Sequence, residues 1–136
     1  MKQEEKDLLL KDICTRLPYE LKISVNDKVE KVDGVNVLDN TIEYGSWLSS
    51  EVEEVKPYLF PLSSMTEEQY NEMQTISGKD CMEHMEIEKE WRNNSPFTHL
   101  PLYQHRVIEF FHKYHFDYRG LIPMGLVIDA TGKNIY

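Results

Sequence analysis

The chain carries its most chemically versatile side chains in one short stretch, between positions 112 and 119. His112, His115, Asp117, Tyr118 and Arg119 supply imidazole, carboxylate, phenol and guanidinium groups, which can bind ligands or exchange protons. They follow or end a segment with helical periodicity, so that polar groups converge beside a helix end. We therefore expect any ligand-binding site to involve these five residues.

A metal site is the first chemistry that these residue types suggest, because imidazoles and a carboxylate can ligate a divalent ion. Two zinc ligands on one helix usually lie three or four residues apart, and only His112 and His115 have that spacing. Cys81 and His84 form half of a zinc-finger-like pattern. The sequence therefore predicts no metal ligand set and no cofactor, and the histidines are expected at the surface or at its boundary with the core.

Nucleophilic catalysis is the second chemistry to consider. Ser63, Ser64, Cys14 and Cys81 are candidate nucleophiles, but none lies in a nucleophile-elbow or cysteine-protease context. The six glycines are dispersed and form no Walker or dinucleotide-binding pattern. We therefore predict no catalytic residue, and a non-enzymatic role is favoured over an enzymatic one.

The distribution of charge restricts the partners of the protein. The net charge is -9, and residues 50–91 carry eleven acids and three bases, whereas residues 92–136 carry three acids and five bases. Phosphate backbones are bound by lysine and arginine, so this balance argues against general nucleic-acid binding. It leaves open a local basic and aromatic patch near the end of the chain, of the kind that binds single-stranded nucleic acid. Its members would be Arg106, His112, Lys113, Tyr114, His115, Tyr118 and Arg119.

Length and composition predict a single domain over residues 1–136. The two cysteines are far apart and match no paired motif, so reduced thiols are expected. The first residues contain Leu8–Leu10 as their apolar run, which is shorter than a signal peptide or a membrane span requires. We therefore expect a cytoplasmic protein with no membrane association.

The first half of the chain predicts one helix followed by a small antiparallel β-meander. Apolar residues recur with helical spacing over 4–17, with Cys14 on the apolar stripe, and Pro18 ends this helix. Residues 19–25 alternate apolar and polar side chains, which is typical of a half-buried strand. Asn26-Asp27 predicts a turn and Asp33-Gly34 a hairpin, with further strands over 29–32, 35–38 and 41–48.

The second half predicts helices. Residues 57–62 are expected to be extended between two prolines, and Thr66 with Gln69 forms a capping box that starts a helix reaching at least Ile76. Two further helices are predicted over 79–91 and 102–115. The expected fold class is therefore α+β, with an N-terminal helix, a small antiparallel β-meander, and then two or three C-terminal helices.

Two segments carry a family resemblance. Residues 56–68 read KPYLFPLSSMTEE and residues 115–122 read HFDYRGLI. Together with residues 8–18, these blocks resemble a family of uncharacterised small proteins from gut anaerobic bacteria. The resemblance implies a bacterial, cytoplasmic origin and no catalytic residue.

Three functional readings remain open from the sequence. The leading one is a non-enzymatic interaction or accessory protein that binds a protein partner or a second copy of itself, because acidic and basic segments can meet complementary surfaces. The second is a small-molecule- or metal-binding enzyme that uses residues 112–119. The third is a single-stranded nucleic-acid binder that uses the basic and aromatic patch.

Overall fold

The computed structural model describes residues 1–77 and 104–136. The helix predicted over 79–91 lies outside the described residues, as do Cys81 and His84. The elements are α1 (Gln3–Arg16), β1 (Lys22–Val25), β2 (Lys28–Asn36), β3 (Thr41–Tyr44), β4 (Leu48–Glu51), β5 (Lys56–Pro61), α2 (Glu67–Ser77), α3 (Gln104–Lys113), β6 (Phe116–Asp117) and β7 (Ile128–Asp129).

Helix α1 confirms the predicted N-terminal helix. Glu4 and Glu5 lie in its first turn, where carboxylates stabilise the positive end of the helix dipole. Its buried face includes Leu9 and Ile13, and Cys14 packs partly buried beside them. The helix passes into a short 3-10 turn at Leu17–Tyr19, so β1 begins three residues later than the alternation predicted.

The meander is present, but one of its turns was predicted wrongly. Asn26 and Asp27 both have positive φ (51° and 61°), which gives the predicted tight hairpin between β1 and β2. The Asp33-Gly34 hairpin is wrong, because β2 runs through both residues and is bulged between Val32 and Gly34. A Cβ atom at Gly34 would lie 3.0 Å from a Glu43 carboxylate oxygen, so this glycine serves close packing against β3.

The turn that follows β2 lies at residues 37–40. The Asn36 side-chain oxygen accepts hydrogen bonds from the backbone N–H groups of Leu38 and Asp39, at 3.1 and 3.2 Å. The segment predicted as a fourth strand is then divided by Gly45 and Ser46, which both have positive φ. Strands β3 and β4 lie on either side of this second turn and pair antiparallel.

Strand β5 joins the N-terminal β-meander to the strands that follow α3. It was predicted only as an extended segment, yet it pairs antiparallel with β1 and parallel with both β6 and β7. Its consecutive buried residues Pro57, Tyr58 and Leu59 are typical of a strand covered on both faces. The described residues therefore form a mixed, mostly antiparallel sheet of seven strands in the order β4-β3-β2-β1-β5-β6, with β7 also against β5.

Two apolar clusters lie at this sheet. One contains residues of α1 and the meander, and the other joins α2, α3 and β6. The capping box of α2 is confirmed: the Gln69 N–H donates to the Thr66 hydroxyl at 3.1 Å, and the Thr66 N–H donates to the Gln69 side chain at 2.9 Å. In α3, within the helix predicted over 102–115, Val107, Phe110 and Phe111 are buried. The α+β class is confirmed, with a larger sheet than the sequence predicted.

Within residues 1–77 and 104–136, no helix combines the length and the apolar character needed to cross a bilayer.

Candidate functional site

Five residues of the stretch 112–119 are buried, whereas Lys113 is exposed and Tyr114 and Arg119 are half-buried. His112, His115 and Asp117 expose 6%, 7% and 3% of their surface, so the prediction that the histidines lie at the surface or its boundary is wrong for these two. The cause is a sharp reversal at His115, whose φ is 60°. Its N–H donates to the His112 carbonyl at 3.1 Å and ends α3, while its carbonyl accepts the N–H of Phe60 at 2.8 Å. The chain then continues into β6 beside β5.

A buried carboxylate on α1 holds this reversal in place. Asp12 accepts hydrogen bonds from Arg16 Nε at 2.8 Å and from Arg119 Nε at 3.0 Å. Arg16 also donates through Nη2 to the carbonyl of Phe116 at 2.6 Å. Asp12 and Arg16 were not singled out from the sequence, although their spacing of four residues on the apolar face of α1 is a signal that could have found them.

Tyr118, His112 and Asp117 also find polar partners inside the protein. The Tyr118 ring lies beneath the guanidinium groups of Arg16 and Arg119, at 5.4 and 5.0 Å, and its hydroxyl lies 2.8 Å from His112 Nε2. Asp117 accepts the backbone N–H groups of the following turn, those of Leu121 and Ile122, each at 2.9 Å. Burial raises the pKa of the Asp117 carboxyl, and these two hydrogen bonds partly offset the rise.

A cavity of about 400 Å³ lies between the start of α2, the end of α3 and residues 131–136, and His115 is part of its lining. Of the five residues predicted to form a ligand site, His115 lines it and the other four do not. Among the described residues, exposed lining residues such as Thr66 and Thr131 leave the cavity open to solvent. Its lining residues are Phe60, Ser64, Thr66, Gln69, Lys113, Tyr114, His115, Phe116, Thr131, Gly132 and Tyr136.

Aromatic rings form much of the cavity wall. The Tyr136 ring stacks on His115 with 3.6 Å between centroids and an interplanar angle of 13°, and it contacts Phe60 at 5.9 Å. The Tyr136 hydroxyl donates to the Tyr58 carbonyl at 2.7 Å and accepts the Lys22 N–H at 3.0 Å. Burial raises the pKa of this hydroxyl above its usual range. Sequence analysis missed Tyr136, and no local signal identifies it, because its partners are distant in the chain.

His115 brings a neutral imidazole to the cavity. Burial, assisted by the positive charge of Arg16, lowers the pKa of His115 from 6.5 to about 4, although Glu20 opposes this shift. Its Nδ1 atom is buried and has no hydrogen-bond partner among the described residues. Burial and Arg16 likewise lower the pKa of His112 to about 4. At neutral pH, His115 can therefore donate or accept a hydrogen bond without carrying charge.

The polar groups near the mouth of the cavity are partly used by the protein itself. The Ser64 hydroxyl donates to the Pro61 carbonyl at 2.7 Å, and Thr66 and Gln69 cap α2. Lys113 Nζ lies 3.6 Å from a Glu72 carboxylate oxygen, which is longer than a usual hydrogen bond. Within the part of the chain that the structure describes, no three His, Cys, Asp or Glu residues are grouped so as to hold a metal ion.

Comparison of the chain with protein-family models, with curated proteins and with solved structures finds no match.

The buried charge network generates a stability prediction. Replacing Asp12 by Asn leaves Arg16 and Arg119 without their carboxylate, so the free energy of unfolding should fall by about 3–5 kcal/mol. Urea denaturation followed by circular dichroism measures the change. Asp7→Asn, at an exposed position of the same helix, should change stability by less than about 0.5 kcal/mol. An Asp12→Asn protein as stable as the Asp7→Asn control would contradict this account.

The lowered histidine pKa values generate a pH prediction. Between pH 6.5 and about 4, the unfolded chain binds protons that folded His112 and His115 do not, so stability falls as the pH falls. The slope is up to about 1.4 kcal/mol per pH unit for each histidine. Asp117, whose pKa is raised, acts in the opposite direction above pH 3.8. Urea unfolding at pH 7, 6 and 5 should show a smaller slope for His112→Gln and His115→Gln; slopes equal to wild type would refute the assignment.

Proposed function

We propose that this protein binds a small organic ligand, without transforming it, in the cavity between α2, α3 and residues 131–136. The observation that carries the proposal is the buried Nδ1 atom of His115, which lies in a cavity-lining residue and has no partner among the described residues. A volume of about 400 Å³ falls in the range of small-molecule sites, which combine apolar walls with a few polar groups.

The energetics of His115 favour an occupant. A buried polar atom without a hydrogen bond costs about 1–3 kcal/mol. Nδ1 itself has no exposed surface, so a ligand pairs with it only by displacing the side chains that cover it, and the pairing then removes this cost. The ring of Tyr136 stacked on His115 holds the imidazole in one orientation, so little conformational entropy is lost on binding.

A binding role is better supported than catalysis at this site. The Ser64 hydroxyl donates to a backbone carbonyl instead of to a basic side chain. His112, Asp117, Tyr118 and Arg119 form contacts within the protein and do not line the cavity. An enzyme built on residues 112–119 would therefore have to break the network that folds this region.

Nucleic-acid binding through the basic and aromatic patch has less support than ligand binding. Base stacking requires exposed ring faces. Tyr118 is buried beneath two guanidinium groups, and the Tyr114 hydroxyl donates to Glu72 at 2.7 Å. Of the basic members of the patch, Arg119 is engaged with Asp12.

The cavity proposal predicts binding of simple aromatic fragments. Phenol-sized and indole-sized compounds should give saturation-transfer NMR signals with the full chain and should compete with one another. Thr131→Trp, at the exposed rim, should weaken binding at least about tenfold, because the larger side chain fills the opening and prevents the ligand from contacting the cavity wall. Lys28→Trp, on an exposed position of β2, is the matched control. Binding that is absent from the folded protein, or equal in both variants, would reject the proposal.

A second candidate function is protein recognition at the edge of the sheet, and the exposure of Trp47 favours it. Trp47 is 95% exposed and Leu48 55% exposed, at the turn that leads into β4. Ser46 N–H donates to Asp33 at 2.7 Å, which fixes this turn to β2. Tryptophan is enriched at the centres of protein interfaces, so a fixed and exposed ring is a natural anchor.

The occupant that fits this edge is an extended basic segment of a partner protein. Strand β4 ends the sheet among the described residues, so its outer edge can add a strand by backbone hydrogen bonding. Glu43 pairs with Ser49 in the β3–β4 register, and Glu51 follows two residues later on the same face. Lysine or arginine side chains on a strand added beside β4 would lie near the Glu51 carboxylate, whereas the Glu43 carboxylate lies over Gly34 of β2.

This second candidate predicts binding of a basic alternating peptide. A synthetic Lys-Val repeat of seven residues should change the tryptophan fluorescence of the protein, whereas the Glu-Val counterpart should not. Trp47→Ser should remove most of the affinity, and Leu38→Ser, at an equally exposed position on another turn, should preserve it. If the basic peptide does not bind, this occupant is rejected. If light scattering shows that the protein alone is a dimer, the edge of β4 is assigned to a second copy of the chain instead.

A further inference from the structure

We propose that the ligand of the cavity is a small aromatic carboxylate with a hydrogen-bonding group on its ring, held by its carboxylate at Lys113 and by its ring substituent at His115. This inference rests on the proposed function of the cavity and specifies the chemistry of its ligand. It is carried by the charge of the lining residues, the free capacity of their polar groups and the aromatic wall.

The charge of the lining separates this cavity from the rest of the protein. The chain has 24 acidic and 15 basic residues, yet among the described lining residues Lys113 is the sole charged side chain at neutral pH. His115 is neutral there. A cationic ligand would meet a lysine, and the described lining contains no acidic side chain. An anionic group instead gains a charge-assisted hydrogen bond.

Lys113 is available to a ligand. Its contact with Glu72 is 3.6 Å long, and 58% of the lysine side chain is exposed. Exposed ion pairs of this kind stabilise proteins little, so an incoming carboxylate competes with Glu72 at small cost. Glu72 keeps its second interaction, with the Tyr114 hydroxyl, when the lysine turns away. The ammonium group also lies 5.0 Å from the centre of the Tyr114 ring, at the cavity wall.

The start of α2 contributes a second, weaker preference for an anion. Thr66 and Gln69 both line the cavity and cap this helix, so its positive dipole end lies at the same site. The Gln69 amide oxygen is used by the cap, and its Nε2 donors have no partner among the described residues. An amide that can only donate from this position complements a carboxylate oxygen.

The walls and His115 determine the rest of the ligand. Rings of Phe60, Tyr114, Phe116 and Tyr136 border the cavity, and aromatic groups pack against such rings in offset or edge-on arrangements. His115 Nδ1 has no partner among the described residues and no exposed surface, so a ligand hydroxyl reaches it once the covering side chains shift, and a phenolic hydroxyl can then act either as donor or as acceptor. A carboxylate and a hydroxyl at opposite ends of one ring therefore match the polar groups of the site.

A matched set of probes tests the charge preference. We choose 4-hydroxybenzoate, its neutral isostere 4-hydroxybenzamide and the cation 4-hydroxybenzylamine, each titrated into the full chain and followed by NMR chemical shifts. The carboxylate should bind about tenfold more tightly than the amide at low ionic strength, and the amine should bind most weakly. Lys113→Gln should remove the difference between carboxylate and amide. Glu72→Gln should increase it, and Lys11→Gln, an exposed lysine of α1, should leave it unchanged.

The hydroxyl contact is tested from both sides. Benzoate should bind less tightly than 4-hydroxybenzoate, and His115→Phe, which keeps a ring against Tyr136, should abolish that advantage while retaining the effect of Lys113. If the variant does not fold, the benzoate comparison in the wild-type protein decides the point alone.

The outcomes separate this inference from the proposed function. Equal affinities for carboxylate and amide, with Thr131→Trp still blocking both, would overturn the carboxylate assignment and leave the cavity as a binding site for neutral aromatics. Equal affinities for benzoate and 4-hydroxybenzoate would overturn the role of His115. Absence of binding by every probe to the folded protein would overturn the proposed function, and this inference with it.

Discussion

The fold depends on one buried carboxylate, that of Asp12. It accepts hydrogen bonds from Arg16 on its own helix and from Arg119 more than a hundred residues away. Arg16 also donates a hydrogen bond to the carbonyl of Phe116. Removing charges from water is costly unless they are paired and hydrogen-bonded, so these groups are stable only together. The network therefore fixes α1 against the segment that follows α3, and with it the path of the chain through His115.

This path explains why the cavity exists. At His115 the backbone enters the left-handed region (φ 60°), which is unfavourable for a residue with a side chain unless its surroundings hold it there. The hydrogen bond from Phe60 to the His115 carbonyl and the stacked Tyr136 ring supply that hold. The reversal turns the chain from α3 into β6, and His115 lies between the buried Asp12–Arg16–Arg119 network and the cavity.

The parts of the fold that the sequence predicted depend on neighbours in the chain. The α2 capping box and the Asn26-Asp27 turn are local, and their residues suffice to specify them. The Asp33-Gly34 prediction failed because Gly34, Val35 and Asn36 pair with β3 and the chain turns only at residues 37–40, and turn propensity does not represent this pairing. The burial of His112 and the position of Tyr136 also follow from distant contacts. Of the cavity lining, the sequence identified His115 as a ligand-site residue, and it named Lys113 and Tyr114 only as members of the basic and aromatic patch.

The acidity of the protein does not conflict with an anionic ligand, because the two effects act over different distances. A net charge of -9 repels anions at long range and slows their approach. At physiological ionic strength, screening confines exposed charges to an effective range of about 8 Å. Within that range, the affinity of a bound anion is set by Lys113 and its neighbours, and not by the carboxylates of the outer surface. The same repulsion disfavours bulky polyanions, which contact many surface charges at once. A small monoanion that enters the cavity escapes most of that cost, so the charge distribution itself selects for small ligands.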